Sequence, residues 1–132
     1  MTIKIDDRFE NTFTISEKVY QDFIAVSNDK NPMHTDESFA VSKGFKGRVM
    51  HGNILNCFLS YFIGECLPTR NVIIHKQDIQ FRNPVYLNDQ VLLEAVVTDV
   101  FESVNAVEFQ FTFRNDERKT VAKGKFQIGI LK

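Results

Sequence analysis

His51-Gly-Asn-Ile-Leu-Asn-Cys-Phe-Leu-Ser-Tyr-Phe-Ile-Gly-Glu-Cys-Leu-Pro68 is the stretch whose reading decides the fold. Ile54, Leu55, Cys57, Phe58, Leu59, Tyr61, Phe62, Ile63, Cys66 and Leu67 read as a helix that Pro68 stops. At 3.6 residues per turn these side chains surround the axis instead of forming one stripe, so the helix must be enclosed by other structure. About 15 residues is too short to cross a bilayer, and the enclosure is therefore protein.

The enclosing structure lies downstream. From Asn71 the period switches to two. Ile79 and Phe81 precede an Asn83-Pro84 turn, and Val91, Leu93, Ala95 and Val97 alternate with partly polar partners. Val107, Phe109, Phe111 and Phe113 alternate with Glu108, Gln110, Thr112 and Arg114, the mark of a half-buried strand. Asn115-Asp116 makes the next turn, and Phe126, Ile128 and Ile130 mark a last strand. Strands joined by short turns predict an antiparallel meander. Phe109, Phe111 and Phe113 fit a sheet face packed on the helix.

Upstream, Phe9 to Ile15 alternates as a first strand, with Phe9, Asn11, Phe13 and Ile15 on one side. Ser16 can cap a helix carrying Val19, Tyr20, Phe23, Ile24 and Ser27, which ends near Asn28 because Asn31-Pro32 forces extended backbone beyond it. A second short helix is predicted from Thr35 to Lys43, capped by Thr35, with Asp36 and Glu37 in its first turn and Gly44 as its left-handed stop. A glycine-spaced loop, 44–52, leads into the apolar helix. The class is α+β: a curved antiparallel sheet wrapped around one apolar helix, with a helical segment before it.

The 132 residues hold one domain, 1–132. Sixteen Lys+Arg against 17 Asp+Glu give a net charge of -1, which lacks the broad basic surface that phosphate contacts of a nucleic-acid partner need. The charged start MTIKIDDRFE has no apolar core, so no signal peptide is expected, and no run of about 18 apolar residues offers a membrane span. On a helix, Cys57 and Cys66 would lie roughly 13 Å apart on opposite faces. That is beyond disulfide reach, so both are expected as small buried hydrophobes in a reducing, cytoplasmic setting.

Two features carry chemistry. Asp29-Lys-Asn-Pro-Met-His34-Thr-Asp36 places a carboxylate and an imidazole on a proline-stiffened loop between two helices, where together they can grip and deprotonate a water molecule. The bland alternative, in which Asp29 caps a turn and His34 is an ordinary surface residue, is favoured by spacing alone. Val49-Met-His51-Gly52 stands immediately before the apolar helix, where free backbone N–H groups and the helix dipole favour a developing negative oxygen. Glycine there lets a carbonyl approach without a Cβ in the way. A glycine that merely eases packing fits the spacing equally well.

Together these residues resemble the MaoC-like (R)-specific enoyl-CoA hydratases, which have a hot-dog fold. The matching positions are Asp29, Asn31, Pro32, His34, Asp36, Ala40, His51, Gly52 and Ser60, followed by Phe81-Arg-Asn-Pro-Val85 and Asp89. The resemblance spans nearly the whole chain. It implies Asp29 and His34 as the pair that holds the catalytic water, and the Gly52 N–H as the donor to the thioester carbonyl. Asn31, His51, Asn53 and Ser60 are implied as substrate-binding positions. Asn53 departs from the family, where many members have Met after the glycine, and would alter acyl or carrier preference without abolishing chemistry. Ser60 lies about 12 Å along the axis from Gly52, so only a supporting contact is expected.

The implied reaction is hydration of a trans-2-enoyl thioester to the (R)-3-hydroxyacyl thioester, or its reverse, with coenzyme A or acyl carrier protein as the carrier. No cofactor is implied, and a homodimer or dimer of dimers is. A thioesterase would use a carboxylate on the central helix, where Glu65 is the only acid. A non-catalytic acyl-thioester binding module would need neither Asp29 nor His34. A metal site of His34, His51 and Asp36 fits no common zinc spacing. Lys43, Lys76 and Arg82 could meet coenzyme A phosphates, although single basic residues are normally just solvated.

Overall fold

The computed structural model describes residues 2–132. Five antiparallel strands form one sheet: β1 (Arg8–Thr14), β2 (Val72–Phe81), β3 (Gln90–Phe101), β4 (Ala106–Arg114) and β5 (Thr120–Ile130). Before β2 lie α1 (Glu17–Ser27), α2 (Pro32–Thr35), α3 (Glu37–Ser42) and α4 (Asn53–Tyr61), and α4 continues as a π-helical turn, Phe62–Cys66.

The sheet order is β1-β3-β4-β5-β2. Only β3, β4 and β5 form the expected meander, because only they are joined by short turns. The eight residues 82–89 between β2 and β3 include Pro84, which lacks a ladder donor, and they carry the chain from one edge of the sheet toward the other. β2 is left as a free edge.

The inward faces of the strands meet α4. Phe109, Phe111, Phe113, Phe126, Leu93 and Val97 are buried together with Ile54, Leu55, Leu59, Phe62 and Ile63. Phe109 stacks on Phe126 at 4.5 Å, and Phe62 meets Phe126 edge-on at 6.4 Å. The three alternating phenylalanines of β4 do line the helix-facing side. α4, however, is not enclosed all round by its own chain. Asn53, Cys57, Ser60 and Tyr61 are exposed and Asn56 is half-buried. Cys57 is thus an exposed thiol instead of a buried hydrophobe, and Cys66 is half-buried with its Sγ accepting from Asn11 Nδ2 at 3.5 Å. The face that carries Cys57 is left uncovered by the described residues.

Ser16 caps α1 as expected, accepting from Val19 N–H at 3.2 Å, and Asn28 closes the helix at φ 56°. The predicted helix 35–43 is replaced by two shorter ones. Asn31 caps the one-turn α2, with Pro32 in its first turn, and Asp36 caps α3 by accepting from Phe39 N–H at 3.1 Å. Thr35 is the last residue of α2, not a cap, and its hydroxyl donates back to the Lys30 and Asn31 carbonyls. The cap moves because the Asp36 carboxylate is free to reach the α3 amides whereas the Thr35 hydroxyl is already taken.

Gly124 of β5 lies opposite Ile79 of β2, and a Cβ there would run into the Asp78 carbonyl oxygen. Gly124→Ala is therefore expected to destabilise the fold by about 1–3 kcal/mol, seen as a lower denaturant midpoint, with β2 amides losing hydrogen-exchange protection first. An unchanged midpoint would contradict this packing.

Candidate active site

The one-turn helix α2 holds His34 rigidly. Asn31 Oδ1 accepts from Met33 N–H at 2.9 Å, and the Asp29 carboxylate accepts from Asn31 N–H at 3.1 Å. The motif is thus a capped turn, and His34 stands inside the helix instead of in the loop before one. Tyr20, buried on α1, donates its hydroxyl proton to the His34 carbonyl at 2.6 Å. The Arg48 guanidinium lies 5.1 Å over the Tyr20 ring.

The imidazole is oriented from the other side by the strap 49–50. Val49 N–H donates to the Met33 carbonyl at 2.9 Å and Met50 N–H to the Val85 carbonyl at 2.8 Å. The Val49 carbonyl faces His34 Nδ1 at 2.7 Å. A carbonyl can only accept, so Nδ1 carries the proton and the neutral ring leaves its lone pair on Nε2. That Nε2 lies 3.7 Å from Asp29 Oδ2. The distance is too long for a direct hydrogen bond, and it suits one water whose oxygen sits about 2.8 Å from each acceptor. Of the two side chains, His34 is 19% exposed and Asp29 47%, so the open half of the pair is the carboxylate.

His51 lies beneath this pair. Its ring is 2% exposed, stacks on His34 at 3.8 Å and packs against Phe23 at 4.8 Å. Its Nε2 donates to the Asp29 backbone carbonyl at 2.8 Å, so the carbonyl fixes the second tautomer as well. His51 Nδ1 is buried without a hydrogen-bond partner among the described residues. The ring is thus buried against the pair, a contact the sequence does not signal.

Gly52 follows at the start of α4, with helical φ and ψ (-57°, -34°). The Ile54 and Leu55 amides already bond back to the His51 and Gly52 carbonyls, while the Gly52 and Asn53 N–H groups have no protein acceptor among the described residues. A Cβ on residue 52 would lie 2.9 Å from the Phe81 ring, so the ring packs directly on the glycine Cα. Asp29, His34, His51 and Gly52 are therefore neighbours. Ser60 is exposed further along α4, and Asp36 is engaged as a cap.

For metal binding the structure gathers Asp29, His34 and His51, not Asp36. Their ligand atoms lie within 4.8 Å of one another. Adjacent ligands of a tetrahedral zinc are about 3.3 Å apart, so ligand atoms spread over as much as 4.8 Å are wider than such a cage as arranged. Glu65 is exposed and paired with Arg70 at 3.0 Å in the π-helical turn, remote in sequence and along the helix from Gly52. Lys43 and Lys76 are exposed, and Arg82 Nη2 bonds Gln80 at 2.6 Å. A hollow of about 620 Å³ lies away from the pair on the outer face of the sheet among Glu10, Glu94, Thr112 and Lys123.

Comparison with known proteins gives these residues a context. The model of the MaoC like domain family matches residues 2–119. An (R)-specific enoyl-CoA hydratase of Aeromonas caviae is 36% identical over 80 residues, 61% of this chain and 60% of that protein. The chain thus matches somewhat under two thirds of that relative's length. An (R)-specific enoyl-CoA hydratase of Rhodospirillum rubrum is 34% identical over 99 residues, covering 75% of this chain and 69% of that one. The unliganded structure of an R-hydratase from Pseudomonas aeruginosa superposes with a TM-score of 0.89 at 31% identity, over 98% of this chain and 83% of that one.

The two carbonyl contacts fix an observable that needs no substrate. Long-range ¹⁵N–¹H correlation spectra at alkaline pH are expected to show His34 as the Nδ1–H tautomer and His51 as the Nε2–H tautomer. The opposite tautomer at either ring would contradict the geometry.

Proposed function

The chain belongs to the MaoC-like domain family, and from that premise we propose that it catalyses the reversible hydration of a trans-2-enoyl thioester to the (R)-3-hydroxyacyl thioester. The observation that carries this reading is the 3.7 Å gap between His34 Nε2 and Asp29 Oδ2, two acceptors that suit one water, with Gly52 next in the chain to the His51 that stacks on His34.

The water held by the pair adds its oxygen to Cβ as the pair takes its proton. The electrons of the double bond move toward the thioester carbonyl, and the developing enolate oxygen is met by the Gly52 N–H at the positive end of α4. The pair then returns a proton to Cα, so the net change is addition of one water. The thioester is the electron sink, and neither a metal nor a redox cofactor is required. Val49 and His51 work by position: they aim Nε2 and hold the Asp29 backbone so that the water stays over the reacting carbon. Asn31 contributes through its cap. Glu65, already paired with Arg70, gives the thioesterase reading no support.

The unit that acts is residues 1–132 as one domain, with the acyl group carried on coenzyme A or acyl carrier protein in the cytoplasm. No helix among the described residues is long and apolar enough to cross a membrane. Two such chains would pair along the free β2 edge, on which Ile73, Ile74 and Phe81 are exposed. Pairing there would bring the neighbouring chain beside the open side of α4 and screen the site from bulk water.

With crotonyl-CoA, enoyl absorbance is expected to fall with no release of free thiol and no loss of rate in EDTA. Thiol release would instead support a thioesterase, and neither change a binding module. Asp29→Asn and His34→Ala should each lower kcat by about 10²–10⁴ while the fold is retained, because each removes half of the water's grip. Full activity in either variant would contradict the assignment. Light scattering should give twice the 15.3 kDa of one chain, or a multiple of that dimer, and a 15.3 kDa species would refute the pairing.

A further inference from the structure

The hydration reading leaves one polar feature unused. On α4, Asn53, Asn56, Cys57 and Ser60 fall within an arc of about 100°, in which Asn53, Cys57 and Ser60 are exposed and Asn56 is half-buried. Across from this stripe stands the inward face of β2. There Gln77 donates its Nε2–H to Asn56 Oδ1 at 3.1 Å, and Phe81 packs on Gly52. Asn56 in turn donates its Nδ2–H to Asn53 Oδ1 at 2.9 Å. Three side-chain amides thus run head to tail from the sheet edge up to the first turn of α4. The oxygens of Asn53 and Asn56 each accept one bond within the chain, and Asn53 Nδ2 is left with both protons unpaired among the described residues.

We propose that this amide chain makes Asn53 the determinant of acyl specificity, selecting enoyl thioesters whose acyl group bears a hydrogen-bond acceptor such as a carboxylate. The inference rests on the hydration reading, which places the thioester carbonyl at the Gly52 amide. Asn53 is the next residue, so an acyl group leaving that carbonyl along α4 meets its amide within a few bonds. A plain alkyl chain laid over Asn53 would strip water from two donors and give nothing back. An acceptor on the acyl group would satisfy them. The direction of the chain matters: Asn56 takes one lone pair of the Asn53 oxygen and holds the amide so that both of its N–H groups stay free for an acceptor. Gln77 and Asn56 act through Asn53 and are positioning residues.

The test compares 2-hexenoyl-CoA with 5-carboxy-2-pentenoyl-CoA, in which a carboxylate replaces the terminal methyl. The full chain is expected to show kcat/KM at least about tenfold higher for the carboxylated substrate. Asn53→Met should bring the two values together or reverse them, mainly through KM of the carboxylated substrate. Gln77→Leu, at an exposed edge position that does not touch the substrate, should weaken the preference without removing it. Turnover of hexenoyl-CoA with no preference in the unmodified chain would overturn the inference and leave the hydration reading intact. Turnover of neither substrate would overturn both. An unchanged substrate ratio in both variants, accompanied by a changed molecular mass, would make the stripe a subunit contact and overturn the inference.

Discussion

The hydrogen bond between the His34 Nδ1–H and the Val49 carbonyl is the contact on which the site depends. A free imidazole places its proton on either nitrogen, and only one choice leaves a lone pair facing Asp29. The Val49 carbonyl makes that choice, and its own position is set by the backbone. Residue 49 is tied to α2 through the Met33 carbonyl and bridges to Tyr86, and the next residue bonds to Val85. The strap just before α4 therefore fixes the pair from one side while the Asn31 cap fixes it from the other. His51 repeats the device one layer down, with its tautomer set by the Asp29 carbonyl.

The sheet gives this arrangement its frame. α4 is pinned by Ile54, Leu55, Leu59 and Phe62 against the phenylalanines of β4 and β5, so its first turn has a fixed direction. Burying several aromatic and aliphatic side chains at about 1.5–3 kcal/mol each outweighs the cost of leaving two amides of that turn unpaired. In the proposed reaction one of these unpaired amides meets the thioester oxygen. Stability made deep in the core is thus what keeps an unsatisfied, polar helix start in place at the surface.

Much of this was legible in the sequence because the signals are local. The alternation of Val107 to Arg114 and the Ser16 cap depend on residues within a turn or a strand of one another. The pairing of Asp29 with His34 was legible only through family resemblance, since spacing alone favours an ordinary loop. What was hidden is non-local. Nothing in the order of the strands along the chain places β2 beside β5 instead of β3. The one-turn helix at Pro32 is too short to show a period, and its cap depends on which of two neighbouring side chains, Thr35 or Asp36, is already engaged. His51 reads as a residue beside a glycine until the fold stacks it under His34. That β2 is an edge strand follows from the strand order and not from any local signal in its residues.

The central claim is that one water, poised between Asp29 and His34, faces a thioester whose oxygen rests on the Gly52 amide. A high-resolution crystal structure with an unreactive saturated thioester, butyryl-CoA, tests it most directly. The account predicts the thioester oxygen within about 3 Å of the Gly52 nitrogen, and a water within hydrogen-bonding distance of both Asp29 Oδ2 and His34 Nε2, over Cβ. A thioester bound elsewhere, or a Cβ that faces neither side chain, would contradict it.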